Sequence, residues 1–367
     1  MPKTSRKAPE QEKTKAAKAA SEPVHGLMKL PSVVIEGYSL ELRDHDGFVG
    51  DQASQTAFRA LLDNWRKRKR KRHGKDPLGK VSSDQVAKSA LDAAIHEKKA
   101  SEASDMVHAA IEEFAIELAQ VIRRFLRQKS WRKVQRIVLG GGFPGSGVGE
   151  RAVLQASAML HHEGRKVELA RLSHETDDGG LIGWVHLVPR DMLKKHDAFL
   201  AVDIGGTNVR CGLVKTRFAK ARDLSRAEVV RRHKWRHADD GPQRKDLLQG
   251  IVEMLHELSA HARKKRISLA PFVGIACPGL IREDGSIARG VQNLPGDWAS
   301  ETFHLPTAVA QLIPTIGQHE TLVLMHNDAV VQGLSELPFM QDVKRWGVLT
   351  IGTGLGNASY TNRKKKK

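Results

Sequence analysis

The sequence predicts an α/β protein large enough for two domains. Three observations carry the prediction. Apolar runs of strand length alternate with longer segments whose apolar residues recur at helical spacing. Several of those strands run directly into glycine. A chain of 367 residues, 40% of them hydrophobic, can build two cores.

Taken in order, residues 21–50 read as strands and turns, and a helix is expected over about 55–65. A basic run follows, and Pro77 and Gly79 then break the pattern. Segments 83–99 and 101–128 have helical spacing; in the second, Val107, Ile111, Phe114, Ala115, Leu118, Val121, Ile122 and Phe125 form one broad face. VQRIVLGGG is a buried strand ending in glycine, followed by a helix over about 150–162, the strand KVELARL and a short helix opened by Gly179 and Gly180. After Pro189 comes a strand–turn–strand, FLAVDIGGTNVRCGLVKTR, and a third strand, RAEVVRRHKW. A helix over about 242–265, the strand APFVGIACPGLI, a hairpin at EDGSIARG and the loop NLPGDW follow. The strand TLVLMH, a helix from Asn327 and the strand of WGVLTIGTGLGNASY complete the alternation.

The formal net charge of +18 is unevenly placed. Residues 1–20, the run Arg66–Arg72 and the tail Arg363–Lys367 account for 16 of those charges, so the body is nearly neutral. Charge packed this densely reads as solvated ends and an exposed helix end or loop. The alternative is weak attraction to nucleic acid or another polyanion, with steep salt dependence. No aromatic residue is interleaved with the run and no helix-turn-helix pattern is evident, which argues against a dedicated nucleic-acid module. Cys211 and Cys277 lie in apolar strands, far from metal-ligand spacing, and read as buried, inert thiols. No apolar run reaches the roughly 18 residues of a membrane span, so a cytoplasmic protein is expected. A homodimer is compatible with the sequence.

Four motifs carry chemistry. In DIGGT, Asp203 ends a strand, Gly205 and Gly206 permit a turn whose N–H groups suit phosphate oxygens, and Thr207 adds a hydroxyl. Asp203 also suits magnesium through water, while the plain alternative is an ordinary glycine hairpin. LTIGTGLG repeats the design with Gly352, Thr353 and Gly354, and two such turns suggest the jaws of a phosphate clamp. HNDA places Asn327 and Asp328 at a strand-to-helix junction, either as a helix cap or with Asp328 as general base. VLGGGFPGSGVGERAV fits the dinucleotide fingerprint through Gly140, Gly142 and Gly145, with Glu168 expected to end the next strand. That reading would make the chain an NAD-type enzyme. It leaves the other three motifs unexplained, and Pro144 sits awkwardly in the loop.

Together, FLAVDIGGTNVRCGLV, GIACPGLI, NLPGDW, HNDAVVQGLSE and VLTIGTGLG resemble the N-terminal half of the ROK sugar kinases and glucokinases, over about 160 residues. These kinases belong to the actin, hexokinase and Hsp70 superfamily, so the resemblance implies a two-domain actin-like ATPase fold of the ribonuclease H type. In the family a second half follows the second glycine turn, yet this chain ends 13 residues after Gly354. The missing elements resemble segments at the front. SEPVHGLMKLP is similar to the family's glutamate–histidine segment through Glu22 and His25, ASQTAFRALL to the next helix, RIVLGGG to the adenosine strand and DDGGLIGWVHL to the closing helix. The implied order is a circular permutation, with residues 21–189 as the C-terminal half, 190–362 as the N-terminal half and VPRDMLKKHD joining the old ends.

The resemblance implies ATP and Mg²⁺ as cofactors and a hexose or N-acetylhexosamine as substrate. Gly205, Gly206, Thr207, Gly352, Thr353 and Gly354 would hold phosphates, with Mg²⁺ on Asp203 through water. Gly140, Gly141 and Gly142 would admit adenosine. Asn293, Asn327, Glu22 and His25 would orient the sugar, and Asp328 would take its hydroxyl proton. The family's cysteine-rich zinc loop is absent, RDHDGFVGD standing in its place, and Asp51 is a shortened substitute for a sugar-binding glutamate. A sugar-responsive regulator using its basic segments on nucleic acid is the alternative within the same family.

Overall fold

In this computed structural model the described residues are 24–45, 47–97, 101–291 and 293–363. Ten strands form two five-stranded sheets. They are Val33–Tyr38 (β1), Arg136–Gly140 (β2), Glu168–Arg171 (β3), Ala198–Ile204 (β4), Val209–Lys215 (β5), Glu228–Trp235 (β6), Leu269–Cys277 (β7), Leu322–Asn327 (β8), Arg345–Ile351 (β9) and Leu355–Asn362 (β10). The protein is a mixed α/β structure, as the alternation predicts.

One sheet has the order β8–β7–β4–β5–β6 and the other β1–β10–β9–β2–β3. In the first, β4, β5 and β6 form an antiparallel meander, while β7 lies parallel to β4 and β8 parallel to β7. In the second, β9, β10 and β1 form the meander, β2 lies parallel to β9 and β3 parallel to β2. The two sheets therefore share one plan, traced by β4-β5-β6-β7-β8 and by β9-β10-β1-β2-β3. Only the second trace has to pass from Asn362 back to Val33, which are paired neighbours in the sheet.

Helices cover both faces of each sheet, which is why the strands read as continuous apolar runs. The helices that matter for the site are Gln55–His73 (α1), Lys88–Ile95 (α2), Glu102–Leu126 (α3), Gly147–His162 (α4), Gly179–Ile182 (α5), Arg244–Lys264 (α6) and Asp328–Ser335 (α7). On β4, Leu200, Val202 and Ile204 join a core with Leu247, Ile251 and Leu255 of α6, whereas Phe199 and Ala201 face a core with Leu181 and Trp184. In the other sheet, Ile137, Leu139, Leu349 and Ile351 pack with α3, and Val138, Val348 and Tyr360 pack with α7. The predicted face of α3 is buried throughout, and Phe114 meets Phe58 and Phe143 at ring-centroid distances of 5.9 and 4.7 Å. Helix α7 is buried from Ala329 to Ser335 because Val330 packs with one sheet and Val331 with the other. It is a wedge between the sheets, and only its first residue emerges.

Five expectations need correction. Helix α1 does not stop near Trp65 but runs through the basic residues to His73, since Lys and Arg are good helix formers and the stop is the left-handed Gly74. Arg66 is not solvated: it is 1% exposed and donates to Asp76, Ser83 and the carbonyls of Gly79 and Val81. Among the described residues of segment 83–99 only α2 is an α-helix, and α4 starts at Gly147, where the Ser146 hydroxyl caps the Gly149 N–H. Glu168 begins β3 rather than ending it. Cys211 and Cys277 are buried and burial raises both pKa values, as inert thiols require. Among the described residues no helix is long and apolar enough to cross a membrane. Residues 1–20 and 364–367, hence most of the basic tails, lie outside the described residues.

Candidate phosphate-binding cleft

A cleft of about 990 Å³ is lined from both sheets. Three glycine turns, far apart in sequence, meet in it. Gly205, Gly206 and Thr207 follow β4, Gly352, Thr353 and Gly354 follow β9, and Gly141 and Gly142 follow β2. The first two turns occupy equivalent places in the shared plan. Their hydroxyls touch, Thr207 Oγ1 lying 2.7 Å from Thr353 Oγ1. The third turn is seated on β9: Phe143 N–H donates to the Ile351 carbonyl, Gly141 has φ +87°, and a Cβ there would collide with that same oxygen. Glycine is demanded at 141 by both conformation and space.

The amide groups divide into two kinds. Gly205 N–H donates to Asn208 O and Gly352 N–H to Gly354 O, so these two close their own turns. Gly206, Thr207, Thr353 and Gly354 N–H groups make no hydrogen bond among the described residues. They are the donors available to an anion, together with the two hydroxyls. The start of α1 braces the second turn, Gln55 N–H donating to Gly352 O and Thr56 Oγ1 to Thr353 O.

Asp328 enters the cleft as the first residue of α7. Asn327 caps that helix by accepting from Val330 N–H, and its amide donates to Gly279 O and Ser39 Oγ. Both amide hydrogens are committed to holding the junction, and Asn327 lines the cleft beside Asp328. Burial first, and the Asp203 carboxylate second, push the Asp328 pKa up to about 7. A largely buried carboxyl poised there suits proton acceptance near neutral pH.

Asp203 belongs to an ion cluster that sequence patterns did not reveal. Its Oδ2 lies 3.1 Å from Arg210 Nη1, and Arg210 Nε donates to Asp177 at 2.6 Å. Lys234 Nζ adds a second cation to Asp177 at 2.8 Å, while Arg232 pairs with Asp178. The alternation Arg232, Lys234 on β6 was the one available hint, since it sets both on one face beside Arg210 of β5. Burial raises the Asp203 pKa even with Arg210 beside it. Mg²⁺ characteristically takes one or two carboxylates, with substrate phosphates and water completing the shell. Asp203 and Asp328 fit that need, and no group of three or more His, Cys, Asp or Glu suited to a resident ion exists among the described residues.

Of the remaining candidates, Asn293 and Asp51 line the cleft. Gly140 does not: it ends β2 beneath the Gln332 side chain. His25 is also outside the lining, where its Nδ1 accepts from Met325 N–H and its ring faces His304. Glu22 lies outside the described residues. Glu168, needed by the dinucleotide reading, pairs with Arg136 at the opposite end of β3 from that reading's requirement.

The chain matches known proteins over part of its length. A curated glucokinase of Thermotoga maritima is 28% identical over 165 residues, which is 44% of this chain and 44% of that protein. The chain is similar to a glucokinase. The match spans less than half the length of that relative. Solved structures of a candidate sugar kinase from Cytophaga hutchinsonii and a candidate N-acetylmannosamine kinase from Listeria monocytogenes align at TM-scores of 0.33 and 0.31. They are 21% and 23% identical, covering 44% and 45% of this chain and 47% of each structure. No family model matches the chain.

Proposed function

We propose that the chain is an ATP-dependent sugar kinase of glucokinase type, with an actin-like fold in circularly permuted order, acting in the cytoplasm on a hexose or N-acetylhexosamine. One observation carries the reading: three glycine turns and a carboxyl with pKa near 7 converge in a single cleft. The permutation is supported by the shared strand plan, whose second trace would run from β10 into β1. In this reading residues 21–189 correspond to the family's C-terminal half and 190–362 to its N-terminal half.

The free amides of Gly206, Thr207, Thr353 and Gly354, with the paired hydroxyls, hold the ATP phosphates. Gly141 and Gly142 leave room for the nucleotide to approach the β2–α4 turn. When bound, Mg²⁺ would neutralise charge on the phosphates, with Asp203 holding it through water. Asp328 accepts the proton of the attacking sugar hydroxyl while that oxygen bonds to the γ-phosphorus and the bond to the β-phosphate oxygen breaks, releasing ADP. Such transfers depend chiefly on positioning and charge.

The test is a coupled assay of ADP release across hexoses and N-acetylhexosamines, with Asp328→Asn as control. Sugar-dependent release by the wild type that the variant lacks is expected. Equal release by both proteins, or none with any sugar, contradicts the reading.

A further inference from the structure

Lys88, the first residue of α2, reaches into the same cleft. Its Nζ donates to the Gly142 carbonyl at 2.9 Å, directly over the third glycine turn. No carboxylate lies within 4 Å of it among the described residues, so one neutral acceptor holds an ammonium with three donors. Its charged neighbours are two cations and two carboxylates: burial, then Arg59, then Lys234 lower its pKa, with Asp177 and Asp92 opposing. Arg59 beside it donates to Ser83 O but has a buried Nε with no partner. Asp177 is already held by Arg210 and Lys234, and Asp92 accepts from Val148 N–H, so neither carboxylate is an ion-pair partner of Lys88.

The strap that delivers Lys88 is built for position. Arg66, at the start of the basic run, fastens residues 76–83 through Asp76, Gly79 O, Val81 O and Ser83. Five residues later the chain places Lys88 over the turn. Sequence reading had left the basic run without a role, and its first member is the anchor of this strap.

We propose that Lys88 is a nucleotide-binding residue whose ammonium contacts the phosphates of ATP, on a strap positioned by Arg66. The inference rests on the kinase reading. Its test is titration of wild type, Lys88→Met and Lys88→Arg with a fluorescent ATP analogue plus Mg²⁺ at several salt concentrations. Lys88→Met should weaken nucleotide binding about tenfold and flatten its salt dependence, and Lys88→Arg should restore most of both, because a phosphate contact by a cation is worth that much and is screened by salt. The sugar KM should stay within about twofold, which a general loosening of the fold would not allow. If the wild type binds the nucleotide and Lys88→Met binds it equally well with an unchanged salt slope, this inference falls and the kinase reading stands. If the wild type binds no nucleotide, both fall.

Discussion

Asp328→Asn tests the site through both chemistry and stability. The wild-type carboxyl has its pKa near 7 in the folded protein, against an ordinary 3.8. The folded state therefore holds this proton over a range where the unfolded chain has lost it. That contribution is complete below about pH 3.8 and is lost as pH rises to about 7. At about 1.4 kcal/mol per pKa unit, the loss between pH 5 and pH 8 is roughly 3 kcal/mol. Asparagine has no proton to lose, so the variant should gain on the wild type by several degrees in Tm between those two pH values. Thermal melts of both proteins at the two pH values measure this. Turnover should fall by about 10² to 10⁴, the usual worth of a positioned base, with sugar affinity nearly unchanged. A Tm difference independent of pH refutes the burial argument, and near-native turnover refutes the role as base.

Three further outcomes follow from the geometry. Wild-type kcat/KM should rise with pH through about 7, because only the ionised Asp328 accepts a proton, and a rate flat from pH 6 to 8 contradicts that. Gly141→Ala should cost about 1–3 kcal/mol in urea melts and weaken MgATP binding, since φ +87° and the Ile351 carbonyl both oppose a Cβ; an unchanged midpoint contradicts it. Arg66→Met should cost about 1–3 kcal/mol by removing the buried guanidinium from Asp76, which keeps only the exposed Arg70, and from the Gly79 and Val81 carbonyls, measured by urea unfolding.

Legibility in the sequence followed the range of each interaction. The face of α3 was readable because Val107 to Phe125 repeat at helical spacing and the packing partner does not matter to the pattern. The glycine turns at 205–207 and 352–354 were readable for the same reason, since a tight turn after an apolar strand is a local demand. The length of α1 was misread because seven consecutive cations look like a solvated break, whereas Arg66 finds partners 10 to 17 residues later. The Asp177–Arg210–Asp203 cluster joins residues 33 positions apart and leaves no periodic trace. Asn327 was correctly placed at a junction, but only its bonds to Gly279 and Ser39 reveal that its amide is spent on holding it. Glu168 fell at the wrong end of its strand because counting residues fixes spacing without fixing where a short strand begins.

Hydrogen exchange with and without MgATP tests most directly whether the three turns serve one ligand. Protection should appear together at 141–143, 205–208 and 352–355 and be weaker at the first in Lys88→Met. Protection limited to one turn, with the other two exchanging as in the free protein, would contradict a shared phosphate site.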